Sequence, residues 1–173
     1  EMHRATSGAK HPDTANSMSV LGRWLGEAGK DAEAATMLRQ ALTLLTELHG
    51  PKHPDVAIAE LGLAQTLTRA GDPGEALRMA ESAEAKVTEA FGAEHWIAAV
   101  GRSTHGAVLA AMGRFAEAEP LLKQGYEALR ANPASRPVYV KRARESLVSL
   151  YEAWGRKDLA LAYREDAPAA PGT

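Results

Sequence analysis

Three stretches of this chain share a pattern that decides its fold. They read HPDTANSMSVLGRWLGEAG at residues 11–29, HPDVAIAELGLAQTLTRAG at residues 53–71 and HWIAAVGRSTHGAVLAAMG at residues 95–113. Each begins with histidine, ends with glycine and starts 42 residues after the previous one. Self-similarity at a fixed period of this length is the sequence signature of a repeat protein, in which each unit is one supersecondary structure stacked on its neighbours.

The same period runs through the rest of the sequence. It aligns Gly29, Gly71, Gly113 and Gly155; Ala34, Ala76, Ala118 and Ala160; and Gly8, Gly50 and Gly92. We therefore divide the chain into repeats at 11–52, 53–94 and 95–136, with a partial fourth repeat or C-terminal cap at 137–165. Residues 1–10 are expected to be the end of a preceding, truncated repeat, and residues 166–173, rich in alanine and proline, a disordered tail.

The composition favours an all-α protein. Alanine occurs 35 times by count, whereas there are only two phenylalanines and no cysteine. Alanine is the best helix former, and strands need the bulky residues that are scarce here. A β-sandwich or barrel is therefore not expected.

Each repeat contains start and stop signals for two helices. His11-Pro12 and His53-Pro54 open the first helix, because proline suits the first helical position. The shared glycine ends it, since glycine adopts the left-handed conformation without a Cβ clash. The resulting helices are expected near 13–28, 31–48, 55–70, 74–91, 96–112, 116–130, 137–154 and 157–165.

The conserved spacing within the units resembles the tetratricopeptide repeat (TPR). The residues that carry it are Leu21, Gly22, Gly29, Ala34 and Ala41 in the first unit, and Leu63, Ala64, Gly71, Ala76 and Ala83 in the second. The long unit and its Gly-x-x-His-Pro junction resemble the repeats of kinesin light chains and of many bacterial regulatory proteins. The closing stretch LYEAWGR at residues 150–156 resembles the end of repeat arrays attached to some bacterial serine/threonine kinases. The resemblance implies a right-handed α-solenoid, a superhelix of antiparallel helix pairs with a concave face for binding.

The charge balance and the absence of catalytic motifs argue against several classes of function. Basic and acidic residues number 20 and 22, which gives no electrostatic footprint for nucleic acid or a membrane surface. No Gly-rich phosphate loop, G-x-S-x-G or H-E-x-x-H motif occurs, so we expect neither an enzyme nor a bound cofactor. His11, His53 and His95 share one junction of the repeat, which predicts helix capping or loop packing and no metal site.

The TPR resemblance implies a binding surface on the first helices of the units. Its candidate residues are Asn16, Ser19, Arg23, Ile58, Leu61, Gln65, Arg69, Val100, Ser103, Arg142 and Glu145. Ile58, Leu61 and Val100 would form an apolar centre surrounded by arginines. This arrangement suits a protein or peptide with an apolar anchor and acidic flanks, because arginine pairs bidentately with carboxylates. The alternative is that the arginines are solvated surface and the aliphatic residues are ordinary packing.

A protein- or peptide-binding scaffold, part of a larger bacterial regulatory protein, is the predicted function. One alternative is an assembly module, because Trp24 lies where a preceding unit would pack and a homodimer could form through this uncapped face. A sensor for a short signalling peptide is another. The lack of cysteine and of a secretory signal predicts a cytoplasmic location.

Overall fold

The computed structural model describes residues 11–165, in which helix is the regular secondary structure and no strand occurs. The helices are α1 (Pro12–Glu27), α2 (Asp31–His49), α3 (Pro54–Ala70), α4 (Pro73–Phe91), α5 (Trp96–Ala111), α6 (Phe115–Ala131), α7 (Pro137–Ala153) and α8 (Lys157–Glu165). The predicted all-α class is confirmed. The expectations for residues 1–10 and 166–173 lie outside the described residues.

The chain forms two compact units. Of the described residues, 11–90 belong to the N-terminal unit and 91–165 to the C-terminal unit. Helices α1 to α4 thus belong to the first unit, apart from the last residue of α4, and helices α5 to α8 to the second.

The junction histidines cap the helices that follow them. The Nδ1 atoms of His11, His53 and His95 each accept a hydrogen bond of 3.2 Å from the backbone N–H two residues later. The first N–H groups of a helix have no partner within it, so a side-chain acceptor there stabilises the helix start. The predicted capping role is therefore confirmed, and it explains why histidine recurs with the period of the repeat.

We expect the cap at His53 to be measurable by substitution. His53→Ala removes the acceptor of the Asp55 N–H and should lower the free energy of unfolding by about 1 kcal/mol. Both substitutions remove the stacking of the His53 ring on His49. His53→Asn restores a side-chain acceptor and should therefore recover most of the lost free energy of unfolding. Chemical denaturation of the two variants isolates the cap, and equal stabilities would show that it contributes nothing.

Glycine ends the first helix of each pair. Gly71 has φ +83°, in the left-handed region, and the Asp72 N–H donates to the Leu67 carbonyl at 2.9 Å across the turn. Equivalent bonds run from Arg114 to Leu109 and from Arg156 to Tyr151. The next helix starts at once; at α4 the Asp72 side chain accepts from the Glu75 N–H at 3.2 Å.

Small residues allow the paired helices to approach closely. A Cβ placed on Gly22 of α1 would lie 2.7 Å from Cγ of Leu38 on α2, and one on Gly106 of α5 would lie 2.8 Å from Cγ of Leu122 on α6. Leu38 and Leu122 are fully buried. Each leucine therefore fills the space that the missing side chain leaves, as close helix packing requires.

In the N-terminal unit, α3 packs against both α1 and α2. Ala15, Leu45, Val56 and Ala59 form a buried cluster among these three helices. A charged contact joins α3 to α4: buried Glu60 accepts from Lys86 Nζ at 2.6 Å and from the Ser82 hydroxyl at 3.2 Å. Both carboxylate oxygens of Glu60 therefore have hydrogen-bond partners, as buried polar atoms generally do.

In the C-terminal unit, α7 packs against α5 and α6, and α8 packs against α7. The buried Tyr151 donates to Glu119 of α6 at 2.8 Å, and its ring stacks on Tyr163 of α8. Burial raises the pKa of the Tyr151 hydroxyl, and the hydrogen bond to the Glu119 carboxylate raises it further. α6 runs from Phe115 to Ala131 without interruption at Pro120.

Candidate functional site

The candidate residues lie on the first helix of each pair, as expected, but in two separate units. The N-terminal unit holds Asn16, Ser19 and Arg23 on α1, and Ile58, Leu61, Gln65 and Arg69 on α3. The C-terminal unit holds Val100 and Ser103 on α5, and Arg142 and Glu145 on α7.

Four of these side chains are buried in the helix packing. Ser19, Leu61, Val100 and Ser103 are 5 to 8% exposed. Ser103 is enclosed by α6, since a Cβ on Gly125 would lie 3.0 Å from its Cβ. Of the three residues expected to form the apolar centre, Ile58 is the one that remains half-buried. An apolar anchor would therefore contact mainly Ile58.

Arg23 is half-buried, and its methylene stem packs across α3. A Cβ placed on Gly62 would lie 2.8 Å from Arg23 Cγ, so the glycine makes room for the stem. Among residues 11–165, no carboxylate forms an ion pair with its guanidinium. A long side chain that buries its stem and keeps an unpaired cation at its end is well placed to bind an acidic group.

Arg69 differs, because its guanidinium already has partners inside the unit. Its Nε donates to Asp31 of α2 at 2.9 Å, its Nη2 donates to the Thr66 hydroxyl at 3.3 Å, and the group lies against Gly26 of α1. Arg69 therefore ties α3 to the first turn of α2. Asp31 was not predicted from the sequence, because it has no equivalent in the second and third repeats, where residues 73 and 115 are proline and phenylalanine.

In the C-terminal unit, Glu145 lines an open groove of about 290 Å³ between α7 and α8. The other lining residues are Arg144, Val148, Ser149 and Arg164. Val148 and Arg164 occupy the positions of Gly22 and Leu38 in the first repeat. Valine and arginine thus replace the glycine and leucine that meet closely between α1 and α2. This departure from the repeat was the available sequence signal for the groove.

One face of α1 carries large exposed apolar side chains. Trp24 is 70% exposed, Leu21 49% and Val20 44%. Trp24 was singled out from the sequence, whereas Val20 and Leu21 were not. We call these three residues the α1 stripe.

Within residues 11–165, no group of three or more His, Asp or Glu side chains is placed to hold a metal ion. Across the same range, no helix has the length and apolar character needed to cross a membrane. The features of the described residues that stand out are the Arg23 cation, the α1 stripe and the open groove between α7 and α8.

Comparison with known proteins agrees with the repeat pattern. The sequence pattern of the tetratricopeptide repeat family matches residues 1–47 and 33–89, together just over half of the chain. The protein therefore belongs to the tetratricopeptide repeat family. Repeats of this class generally mediate protein–protein interaction, and they are typically non-enzymatic scaffolds.

Among solved structures, the chain is similar to BtubC (BKLC) from P. vanneervenii, with a TM-score of 0.70 and 16% identity over 94% of this chain and 69% of that one. It is also similar to a Podospora anserina protein of nearly identical TPR-like repeats, assigned as a kinesin light chain, with a TM-score of 0.72 and 20% identity over 93% of this chain and 81% of that one. At these identities the likeness concerns the fold, a TPR-like solenoid. No curated protein sequence matches the chain.

Proposed function

We propose that this protein is a scaffold that binds an extended or helical peptide segment of a partner protein through the first helices of its repeats. Membership of the TPR family supports the general role. The observation that carries the finer proposal is Arg23, a half-buried arginine with a packed stem and no carboxylate partner among residues 11–165. Its charge is available to a ligand.

The chemistry of the preferred peptide follows from the other accessible candidate residues on α1 and α3. Asn16 on α1 is exposed and offers both donors and an acceptor, while Ile58 and Gln65 on α3 are half-buried. The peptide we propose carries one aliphatic side chain against Ile58 and a carboxylate against Arg23. Arg69 contributes less than the sequence predicts, because Asp31 already neutralises it.

Charge reversal at Arg23 tests this proposal. Linear peptides selected from a random display library on the wild-type protein should be enriched in an aliphatic residue flanked by Asp or Glu. Arg23→Glu should weaken their binding by about 10- to 100-fold, because a carboxylate contact is replaced by repulsion. Fluorescence anisotropy with a labelled, selected peptide measures the change.

Two controls separate the contact from the fold and from net charge. Arg23→Met keeps the apolar stem over Gly62 and should still weaken binding, which identifies the guanidinium as the contact. Arg78→Glu makes the same charge change on the exposed part of α4 and should leave affinity within about twofold. Selection of basic peptides, or equal affinity for the Arg23→Glu variant, would contradict the proposal.

The wider setting belongs to the same proposal. The resemblance of the closing residues 150–156 to repeat arrays attached to bacterial kinases supports a role within a larger regulatory protein, and the lack of cysteine supports a cytoplasmic location. Affinity capture from the native cell, followed by identification of the captured proteins, tests this setting. Capture of no regulatory protein would count against it.

A second candidate function, self-association through the α1 stripe, is favoured by a specific observation. Trp24 is 70% exposed, which is unusual for the largest apolar side chain. Two copies could cover this side chain by pairing along α1.

A further inference from the structure

Protonation changes what a capping histidine can do. The Nδ1 atoms of His53 and His95 each accept a backbone N–H at 3.2 Å, so in each ring the proton is on Nε2 and Nδ1 is bare. An imidazolium has a proton on both nitrogens and accepts no hydrogen bond. Because histidine takes up its proton roughly between pH 8 and pH 5, mild acid removes the acceptor at a helix start unless a neighbouring group supplies a substitute.

At the α2–α3 junction, a carboxylate lies beside two stacked imidazoles. The rings of His49 and His53 stack with their centroids 4.4 Å apart. Oδ2 of Asp55 lies 4.0 Å from Nε2 of His49 and 3.6 Å from Nδ1 of His53. Nε2 of His49 is shielded from solvent and forms no hydrogen bond within residues 11–165. A proton on this atom would therefore gain a partner that is already close.

This junction is suited to one proton. On His49 the proton creates an ion pair with Asp55 and a cation at the C-terminal end of α2, where the helix dipole favours positive charge. The cap from His53 is then retained. A second proton would put two cations in face contact at 4.4 Å, which is unfavourable. Lys52, which precedes His53, forms an ion pair with Glu89 of α4 at 3.9 Å.

The α4–α5 junction has apolar residues at both of the corresponding positions. Phe91 is equivalent to His49, and it stacks on His95 with ring centroids 4.9 Å apart. Ile97 is equivalent to Asp55. Its N–H donates to Nδ1 of His95, but its side chain offers no acceptor to an imidazolium. A proton on His95 thus removes the cap of α5 and leaves nothing in its place.

The other described groups around His95 supply no substitute. The Trp96 ring contacts the imidazole with centroids 5.8 Å apart. Glu94 is exposed and forms no ion pair with His95. The Arg102 guanidinium donates to the Ala93 carbonyl at 3.5 Å, which brings positive charge to the same loop and disfavours an imidazolium there.

We propose that the two junctions respond to acid in opposite directions. Between about pH 7.5 and pH 5, the N-terminal unit gains stability by taking one proton into the cluster of His49, His53 and Asp55, whereas the C-terminal unit loses the cap of α5. A proton that the folded state holds more tightly than the unfolded state stabilises the fold as the pH falls, and one that it holds less tightly destabilises it. Mild acid therefore loosens one unit of the chain selectively.

Urea unfolding of the full chain at about pH 7.5 and pH 5 tests the response of the C-terminal unit, with backbone amide signals in proton–nitrogen correlation spectra giving a midpoint for each unit. On acidification, the midpoint of this unit should fall by about 0.5 M, the shift expected of a lost cap. His95→Asn retains an acceptor that does not titrate and should reduce the fall to less than about half. His105, the other histidine of residues 91–165, is present in both proteins, so its contribution cancels. An equal fall in His95→Asn would overturn the proposal for α5.

A substitution copied from the first junction tests the missing carboxylate. Ile97→Asp places an acidic side chain two residues after His95 and should reduce the fall to the same extent. Ile97→Asn is the matched control, since it has the same size without the charge, and it should keep the fall. The comparison uses the change between the two pH values, so a loss of packing at the half-buried Ile97 affects both measurements alike. Equal falls in the two variants would overturn the role of the carboxylate.

Asp55→Asn tests the N-terminal unit. On acidification, the midpoint of this unit should rise by about 0.3 M in the wild-type chain and fall by about 0.5 M in Asp55→Asn, because a proton on His53 then removes the cap without a partner. Glu33→Gln removes an exposed carboxylate from the same unit and should keep the wild-type response. His11 has Asp13 at 3.5 Å in every variant, so its contribution cancels. A fall in the wild-type chain equal to that of Asp55→Asn would overturn the proposal for the α2–α3 junction. None of these outcomes alters the peptide binding proposed for the first helices.

Discussion

Glu60→Ala is expected to lower the free energy of unfolding by about 2 to 3 kcal/mol, because it leaves the half-buried Lys86 cation without its partner. The Glu60 side chain is 7% exposed and the Lys86 side chain 18%, with 2.6 Å between Oε1 and Nζ. Ser82 loses its acceptor in the same step. Urea denaturation followed by circular dichroism measures the change, and the midpoint should fall with little change in slope.

Two further variants test the physical reason. Replacing both partners, as Glu60→Leu with Lys86→Met, removes the unpaired charge and should recover most of the loss, because an apolar pair of similar volume is often as stable as a buried ion pair. Glu33→Ala breaks the exposed pair with Lys30 and should change stability by less than about 1 kcal/mol. A Glu60→Ala variant as stable as Glu33→Ala would contradict the prediction.

The helix limits were predictable from the sequence because local chemistry determines them. Histidine and proline define the starts at residues 11–12 and 53–54, and glycine at 71 provides the left-handed residue that ends α3. These signals act over two to six residues, so the sequence contains them directly. α1 and α3 each begin one residue earlier than expected, at the proline itself.

The burial of the candidate site was less predictable, because it depends on the helices that follow in the array. Ser19, Leu61, Ser103 and Glu145 are equivalent positions, and the first three are buried whereas Glu145 is exposed. The period identifies equivalent residues but does not show how closely the next helix approaches each one. That distance depends on the size of side chains many residues away.

The charged contacts were the least predictable part. Arg69 and Asp31 are 38 residues apart, and Glu60 and Lys86 are 26 apart. Neither pair recurs with the period, since the positions equivalent to Glu60 hold Met18, Arg102 and Arg144. A contact that occurs in one repeat leaves no repeated pattern, so only the folded arrangement reveals it.

The close contacts between paired helices are visible partly in the repeat period and partly only in the folded structure. They lead to a second prediction with a large expected effect on stability. Gly22 meets Leu38 and Gly106 meets Leu122, and the period aligns these two contacts with Ala64 and Ala80 in the second repeat and with Val148 and Arg164 in the fourth. The leucine occurs where the facing residue is glycine. The pattern is visible in the period once the contact is known, whereas the larger Val148 and Arg164 of the fourth pair line the open groove.

Gly106→Val should therefore destabilise the C-terminal unit by about 2 to 3 kcal/mol, because the added atoms overlap a packed core. Even a single Cβ would lie 2.8 Å from Leu122 Cγ and 3.1 Å from the Ala118 carbonyl oxygen. Ala111→Val on the exposed end of the same helix should cost only a few tenths of a kcal/mol, about the difference in helix propensity. Thermal and urea unfolding compare the two.

A double-mutant cycle identifies Leu122 as the cause. Leu122→Ala alone should cost about 2 to 5 kcal/mol through its cavity, but in the Gly106→Val background the valine fills part of that space. The double variant should then be more stable than the sum of the single effects predicts, by about 1 kcal/mol or more. If the free-energy changes of the two single variants simply add, the strain arises at the Ala118 backbone, which cannot move aside. The size of Leu122 would then not determine the spacing of α5 and α6.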